Sequence, residues 1–124
     1  MIKKAKIDKR LKKKTDLRLI KLVNEIKKSD SEFWLKVAKY LVRPKRKQVE
    51  VNLGKINAIA NDGDIILIPG KVLANGVLDK KIIISCYKAS GNAIKKIEFS
   101  KSKLISIEEL FRKNKTGEGI KLIV

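Results

Sequence analysis

The spacing of the apolar residues changes once along this chain, at Val49, and that change fixes the order of its parts. Upstream, Leu17, Ile20, Val23 and Ile26 recur at helical spacing, as do Phe33, Trp34, Val37, Ala38 and Leu41. Thr15 is placed to cap the first helix, with Asp16 at its positive end. Ser29 and Glu32, three apart, read as a capping box for the second. Pro44 stops it, because the residue before proline avoids the helical region. The two helices are expected to pack as a hairpin, with Trp34 in the packing rather than serving as a base-stacking platform. Downstream, Val49, Val51 and Leu53 alternate with Glu50 and Asn52, the two-residue period of a strand.

Further strands follow at short intervals. Ile65–Ile68 is fully apolar and is expected to end at Pro69-Gly70. Residues 71–74 and 77–78 flank Asn75-Gly76, a tight-turn signal. Residues 82–87 form a buried strand, Ser90 opens a helix over Ala93, Ile94 and Ile97, and Leu104–Ser106 is a short strand. Ser106 and Glu109 then form a second capping box, and residues 120–124 a last strand. The fold class is therefore α/β: an N-terminal basic arm and helical hairpin, then irregular layers of short strands and short helices. At 124 residues one core is expected, over 15–124, with 1–14 as a flexible arm. Only 5% of residues are aromatic, so that core must be mainly Ile, Leu and Val.

Charge then narrows the function. Thirty-one Lys and Arg stand against 13 Asp and Glu, a net +18. So large a charge repels itself in the folded state unless a polyanion neutralises it. Residues 1–14 hold eight of the cations (Lys3, Lys4, Lys6, Lys9, Arg10, Lys12, Lys13 and Lys14) and one acid, Asp8. Such a block is expected to be disordered when free, either as a solvated tail or as an arm that orders on RNA. The rest of the chain is strongly basic without it. A second block, Arg43-Pro44-Lys45-Arg46-Lys47, lies on a loop where a rigid turn would present its cations to phosphates.

The same residues exclude most chemistry. There is no His, so Ser-His-Asp and Cys-His catalysis are absent, and one Cys leaves neither a disulfide nor a zinc set of the usual kinds. Cys86 lies in an apolar strand and reads as a small buried hydrophobe. Asp62 and Asp64 flank Gly63 and read as turn formers. Pro69-Gly70-Lys71 lacks the other residues of a phosphate-binding loop. No apolar run approaches a spanning helix, and the N-terminal segment lacks the apolar face that a lipid surface needs. The expectation is a non-enzyme with no cofactor, no metal, no membrane and no small-molecule substrate. With few aromatics and no Gly-x-x-Gly clamp, the cations are suited to phosphates and folded shape more than to base readout.

Three blocks resemble a known family. Residues 39–56, Lys-Tyr-Leu-Val-Arg-Pro-Lys-Arg-Lys-Gln-Val-Glu-Val-Asn-Leu-Gly-Lys-Ile, are similar to the eighteen-e protein of the archaeal and eukaryotic large ribosomal subunit, itself related to the C-terminal part of bacterial large-subunit protein fifteen. Gly63-Asp64 followed by Ile68-Pro69-Gly70-Lys71-Val72-Leu73 matches a second block, and Leu104–Leu110 a third, in the family's order. The resemblance implies binding to large-subunit ribosomal RNA beside neighbouring large-subunit ribosomal proteins, in an archaeal, cytoplasmic ribosome. It carries RNA contact to Arg43, Lys45, Arg46, Lys47 and Asn52, with Lys55 in the same stretch, and to Gly70 and Lys71 in the Pro-Gly-Lys turn. The competing expectation is a general nucleic-acid-binding protein outside the ribosome.

Overall fold

A computed structural model of the chain describes residues 4–124, apart from the Ala5 side chain. The elements run α1 (Lys4–Leu11), α2 (Leu17–Lys27), α3 (Glu32–Leu41), β1 (Val49–Asn52), α4 (Leu53–Ile59), β2 (Ile65–Leu73), β3 (Ile83–Ala89), α5 (Gly91–Phe99), β4 (Lys103–Ser106), α6 (Ile107–Lys113) and β5 (Ile120–Leu122). The α/β expectation holds, and the irregular layers resolve into one parallel sheet with helices on both faces. Fully parallel sheets are covered on both faces, which is why Ile65–Ile68 reads as an unbroken apolar run.

β2 is the centre. β3 lies along one edge of it, with β4 beyond. Its other edge is shared end to end: β5 pairs with Ile65–Leu67 and β1 with Gly70–Leu73. The faces alternate along β2. Leu67 packs under α1, α2, α3 and α6, with Leu22, Ile26, Trp34 and Phe111 around it. Ile66, Ile68 and Val72 pack under α4 and α5, with Leu53, Ile56, Ala93 and Ile97.

Trp34 belongs to the first core, fully buried. Its ring meets Phe33 and Phe111 edge-on, at 5.4 and 5.0 Å between centroids. Its Nε1–H donates to the Asn114 carbonyl at 2.8 Å, so the polar end of the indole is satisfied inside the core.

Several sequence expectations shift. Residues 4–11 are not a free tail: they form α1, and Ile7 and Leu11 are 1% and 8% exposed within the first core. The charge density of this segment concealed a helical i, i+4 pair. Asp16, not Thr15, caps α2, accepting from the amides of Arg18 and Leu19. Ser31, not Ser29, caps α3, because the Ser29 hydroxyl is spent on the Ile26 carbonyl. β2 does not end at Pro69-Gly70. It runs on to Leu73, since Pro69 falls where both ladders are interrupted: between the last β5 pair at Leu67 and the first β1 pair at Gly70, and inside the irregularity between Ile68 and Lys71 on the β3 side. A residue without an N–H costs no ladder bond there.

Asn75-Gly76 makes no hairpin. Gly76 has φ +97°, and a Cβ on it would stand 2.5 Å from the Gly54 Cα, so this turn packs flat against the start of α4. The Ser90 and Ser106 caps are as expected, accepting from the Ala93 and Glu109 amides, each at 3.1 Å.

Candidate nucleic-acid interface

The two family blocks that carry cations are separate in sequence and adjacent in space. β1 begins at Val49, opposite Gly70, and Glu50 stands opposite Lys71. The loop that leads into β1 therefore lies beside the Pro69-Gly70-Lys71 segment. Within that loop Lys45–Lys47 form a single 3-10 turn with no buried residue. Three residues complete such a turn, so the three cationic side chains fan out about 120° apart. Arg43 is fixed differently: its guanidinium lies 4.4 Å from the Tyr40 ring centroid. Its carbonyl accepts from the Lys14 ammonium at 2.6 Å, which brings the end of the N-terminal segment to the same place.

A further cation joins this group that the sequence reading missed. Lys88 stands in register with Lys71 across β2 and β3, and both are exposed. Like charges side by side on neighbouring strands are unfavourable. Glu50, exposed on the far side of Lys71, is the one acid in that row, and among the described residues it makes no ion pair within 4.0 Å. The signal for Lys88 was its place directly after the apolar run 82–87.

Other predicted residues fall elsewhere or have internal tasks. Lys3 lies outside the described residues. Lys4 approaches Asp30 at 3.9 Å, and Asp8 pairs with Lys27, so the start of α1 sits by the C-terminal end of α2, away from Arg43. Lys6, Lys9, Lys12 and Lys13 are exposed and Arg10 is half-buried, with no ion pair among the described residues. Asn52 Oδ1 accepts from the Asn75 amide at 3.3 Å, and Lys55 donates to the Val124 carbonyl at 2.7 Å. Gly70 has a packing reason: a Cβ there would stand 2.1 Å from the Val49 carbonyl oxygen.

A polar network around Arg18 supports the cationic end. Arg18 Nε and Nη2 donate to the two Glu108 carboxylate oxygens at 2.8 and 3.1 Å, and Nη1 donates to the Tyr87 carbonyl at 2.8 Å. The same guanidinium lies 4.3 Å from the Tyr87 ring centroid, and the Tyr87 hydroxyl donates to Asp16. The Arg18 hydrogen bonds hold the Glu108 carboxyl below its usual range. The Tyr87 hydrogen bond does the same for Asp16. Burial, then the Asp16 bond, pushes the Tyr87 phenol upward. Arg18 is thus consumed by structure. Its partners lie 69 and 90 residues away, so nothing local in the sequence marked it.

The chemistry available elsewhere is slight. Cys86 is 5% exposed, and burial pushes its thiol up to about 11, which keeps it protonated and unreactive. Asp62 and Asp64 act in the turn, accepting from the Lys81 and Asn61 amides, and Asp64 also pairs with Lys121 at 2.9 Å. Among the described residues no group of three His, Cys, Asp or Glu is placed to hold a metal ion, and no helix is long and apolar enough to cross a membrane.

Cations from a loop, two neighbouring strands and an N-terminal segment thus come close together on a small α/β domain. The sequence pattern of the ribosomal protein family that includes 50S-L15 and 50S-L18e matches residues 50–100. The chain is 38% identical to large ribosomal subunit protein eL18 of Pyrobaculum aerophilum over 77% of its length and 79% of the relative's. It is 37% identical to that of Methanoregula boonei, over 89% and 94%, and 39% identical to that of Picrophilus torridus, over 92% and 97%. The chain belongs to the eL18 family of large-subunit ribosomal proteins.

Proposed function

We propose that this protein is a structural constituent of the large ribosomal subunit, in the cytoplasm, that binds folded large-subunit ribosomal RNA through Lys and Arg contacts to phosphate, beside neighbouring ribosomal proteins. The observation that carries the reading is the convergence of Lys14, Arg43, Lys45, Arg46, Lys47, Lys71 and Lys88 from four separate parts of the chain. Lys71 and Lys88 sit on strands fixed by sheet pairing, and the turn that carries Lys45–Lys47 leads directly into β1, so less conformational entropy is lost when phosphates arrive than in ordering a free chain. Phosphate contacts of this kind position a protein on RNA, and the shape of the RNA supplies the selectivity. The exposed cations of α1 extend the surface.

Two experiments test it. On sucrose gradients the protein is expected to co-migrate with large subunits after a high-salt wash, and release into the free fractions would point instead to a general nucleic-acid-binding protein. Arg43, Lys45, Arg46 and Lys47 changed together to Ala are expected to lower affinity for large-subunit ribosomal RNA more than Lys6, Lys9, Lys12 and Lys13 changed to Ala. Both sets remove the same formal charge. Equal losses would make net charge, and not a built surface, the determinant of binding.

A further inference from the structure

One large aromatic side chain has no place in either core. Phe99, the last residue of α5, is 91% exposed, the most exposed of the large apolar side chains among the described residues. Exposing a phenyl ring forgoes burial that a core position would supply. The ring is nonetheless not on a loose end. Ser100 donates through its hydroxyl to the Ile97 carbonyl at 2.8 Å and through its amide to the Lys96 carbonyl at 3.0 Å. Ser102 Oγ donates to the Lys80 carbonyl at 2.7 Å and accepts from the Ile82 amide, and the Lys103 amide donates to the Ile82 carbonyl at 2.9 Å. Lys101 takes φ +63° to close this turn. The segment behind Phe99 is therefore pinned to the entrance of β3, and the ring is held outward by an ordered backbone.

The surroundings choose the occupant. Lys95 lies one helical turn before Phe99, and Lys101 and Lys103 follow it, all three exposed, against one nearby acid in sequence, Glu98. Lys96 in the same helix is tied to the Ala74 and Gly76 carbonyls. A flat apolar ring among free ammonium groups suits a nucleobase carried on a phosphate chain, where the ring takes the π-face and the lysines the backbone. An apolar pocket of a protein partner would leave those lysines to be desolvated or paired.

The position is also separate from the cationic side already described. α5 starts beside β2, where the Ser90 amide donates to the Val72 carbonyl, and runs for nine residues toward the opposite end of the sheet. That run is about 13 Å long at the ordinary rise of an α-helix.

We infer that Phe99 is a base-stacking site for an unpaired nucleotide of RNA, flanked by Lys95, Lys101 and Lys103. This rests on the RNA-binding reading above and adds to it a second contact of a different chemical kind. It makes the protein a clamp between two RNA segments: one held by charge at the loop side, the other by stacking at the end of α5.

The test compares Phe99→Leu and Phe99→Trp with the parent chain on protein-free large-subunit ribosomal RNA at one salt concentration. Phe99→Leu keeps an apolar side chain but has no π-face, and is expected to weaken binding by about 5- to 150-fold, the range that loss of one base–aromatic stack spans. The slope of affinity against salt should not change, because no phosphate contact is removed. Phe99→Trp is expected to bind at least as tightly as the parent, and the new indole to lose fluorescence on binding, against the constant emission of buried Trp34. Parent-like binding by Phe99→Leu overturns the inference. So does a Phe99→Leu defect seen only with protein-containing particles, which would assign the ring to a protein pocket. If the parent itself fails to bind this RNA, or if the Arg43, Lys45, Arg46 and Lys47 alanine variant binds like the parent, the underlying RNA reading fails, whatever Phe99 does. Melting curves of both Phe99 variants should match the parent, since the ring touches neither core.

Discussion

The Lys14 ammonium donates a 2.6 Å hydrogen bond to the Arg43 carbonyl. The N-terminal segment thereby holds the basic loop from behind while its own helix is anchored by Ile7 and Leu11. Arm and loop form one assembly, with consequences for stability as well as for binding.

Deleting residues 1–14 is expected to lower the melting temperature clearly, not only to weaken RNA affinity. Ile7→Ala alone should cost about 2–5 kcal/mol, the usual range for emptying a buried Ile or Leu position. Chemical denaturation measures this directly. An unchanged midpoint would mean that α1 contributes nothing to the core.

Stability is expected to fall in acid through Glu108. Its carboxyl is held below the ordinary value of 4.5 by Arg18, so the folded state keeps the proton off more strongly than the unfolded state does. Its contribution is then fully present above about 4.5 and is lost as the pH falls through the lower, folded value. Glu108→Gln should lose stability at neutral pH and show a flatter decline in acid. Denaturation midpoints at pH 7, 4.5 and 3 decide the matter, and parallel pH curves for the two proteins would refute it.

Binding to ribosomal RNA should be steeply salt-dependent. A protein touching about 6–10 phosphates loses on the order of 10³–10⁵ in affinity between 50 and 200 mM salt on duplex DNA, and folded RNA should follow the same direction. Changing Arg43, Lys45, Arg46 and Lys47 to Ala is expected to make the log–log slope shallower by up to about 3–4. An unaltered slope would show that these side chains meet no phosphate.

Gly76→Ala and Gly91→Ala should move stability in opposite directions. Gly76 combines φ +97° with a Cβ position 2.5 Å from the Gly54 Cα, so Ala there is expected to cost at least about 1–2 kcal/mol. Gly91 opens α5 with nothing within 4 Å of a Cβ, so Ala there should add about 0.4–1 kcal/mol by restricting the unfolded chain. Thermal melts of the pair are enough, and a shared sign would refute the distinction.

Local rules served the sequence reading well where the partner of a residue is close by. The Ser90 and Ser106 caps, the apolar strands and the burial of Trp34 rest on neighbours within a few residues or on bulk hydrophobicity. Helix α4 was not foreseen, because Leu53 looked like the last residue of a strand. Only its burial with Ile56 against the sheet gives Leu53–Ile59 a helical face. Asn75-Gly76 does turn the chain, but its glycine packs on Gly54, far earlier in the chain, and no strand pairs across the turn. In the candidate interface, the cations of the loop and of the Pro-Gly-Lys segment were named from the sequence, but Lys88 and the grouping were not. Pairing between β1, β2 and β3 brings Lys71 to the loop and Lys88 to Lys71, and no short-range pattern encodes that register.

The divided edge of β2 bears on solubility. In place of a single long outer strand, β1 and β5 present four and three residues, and the opposite edge, β4, has four. β4 also begins at an exposed lysine, Lys103. Unpaired strand edges are templates for adding foreign strands, and shortness and lysine are the usual defences. A domain rich in Ile and Val strands is thereby left without a long outer strand on which foreign strands could add.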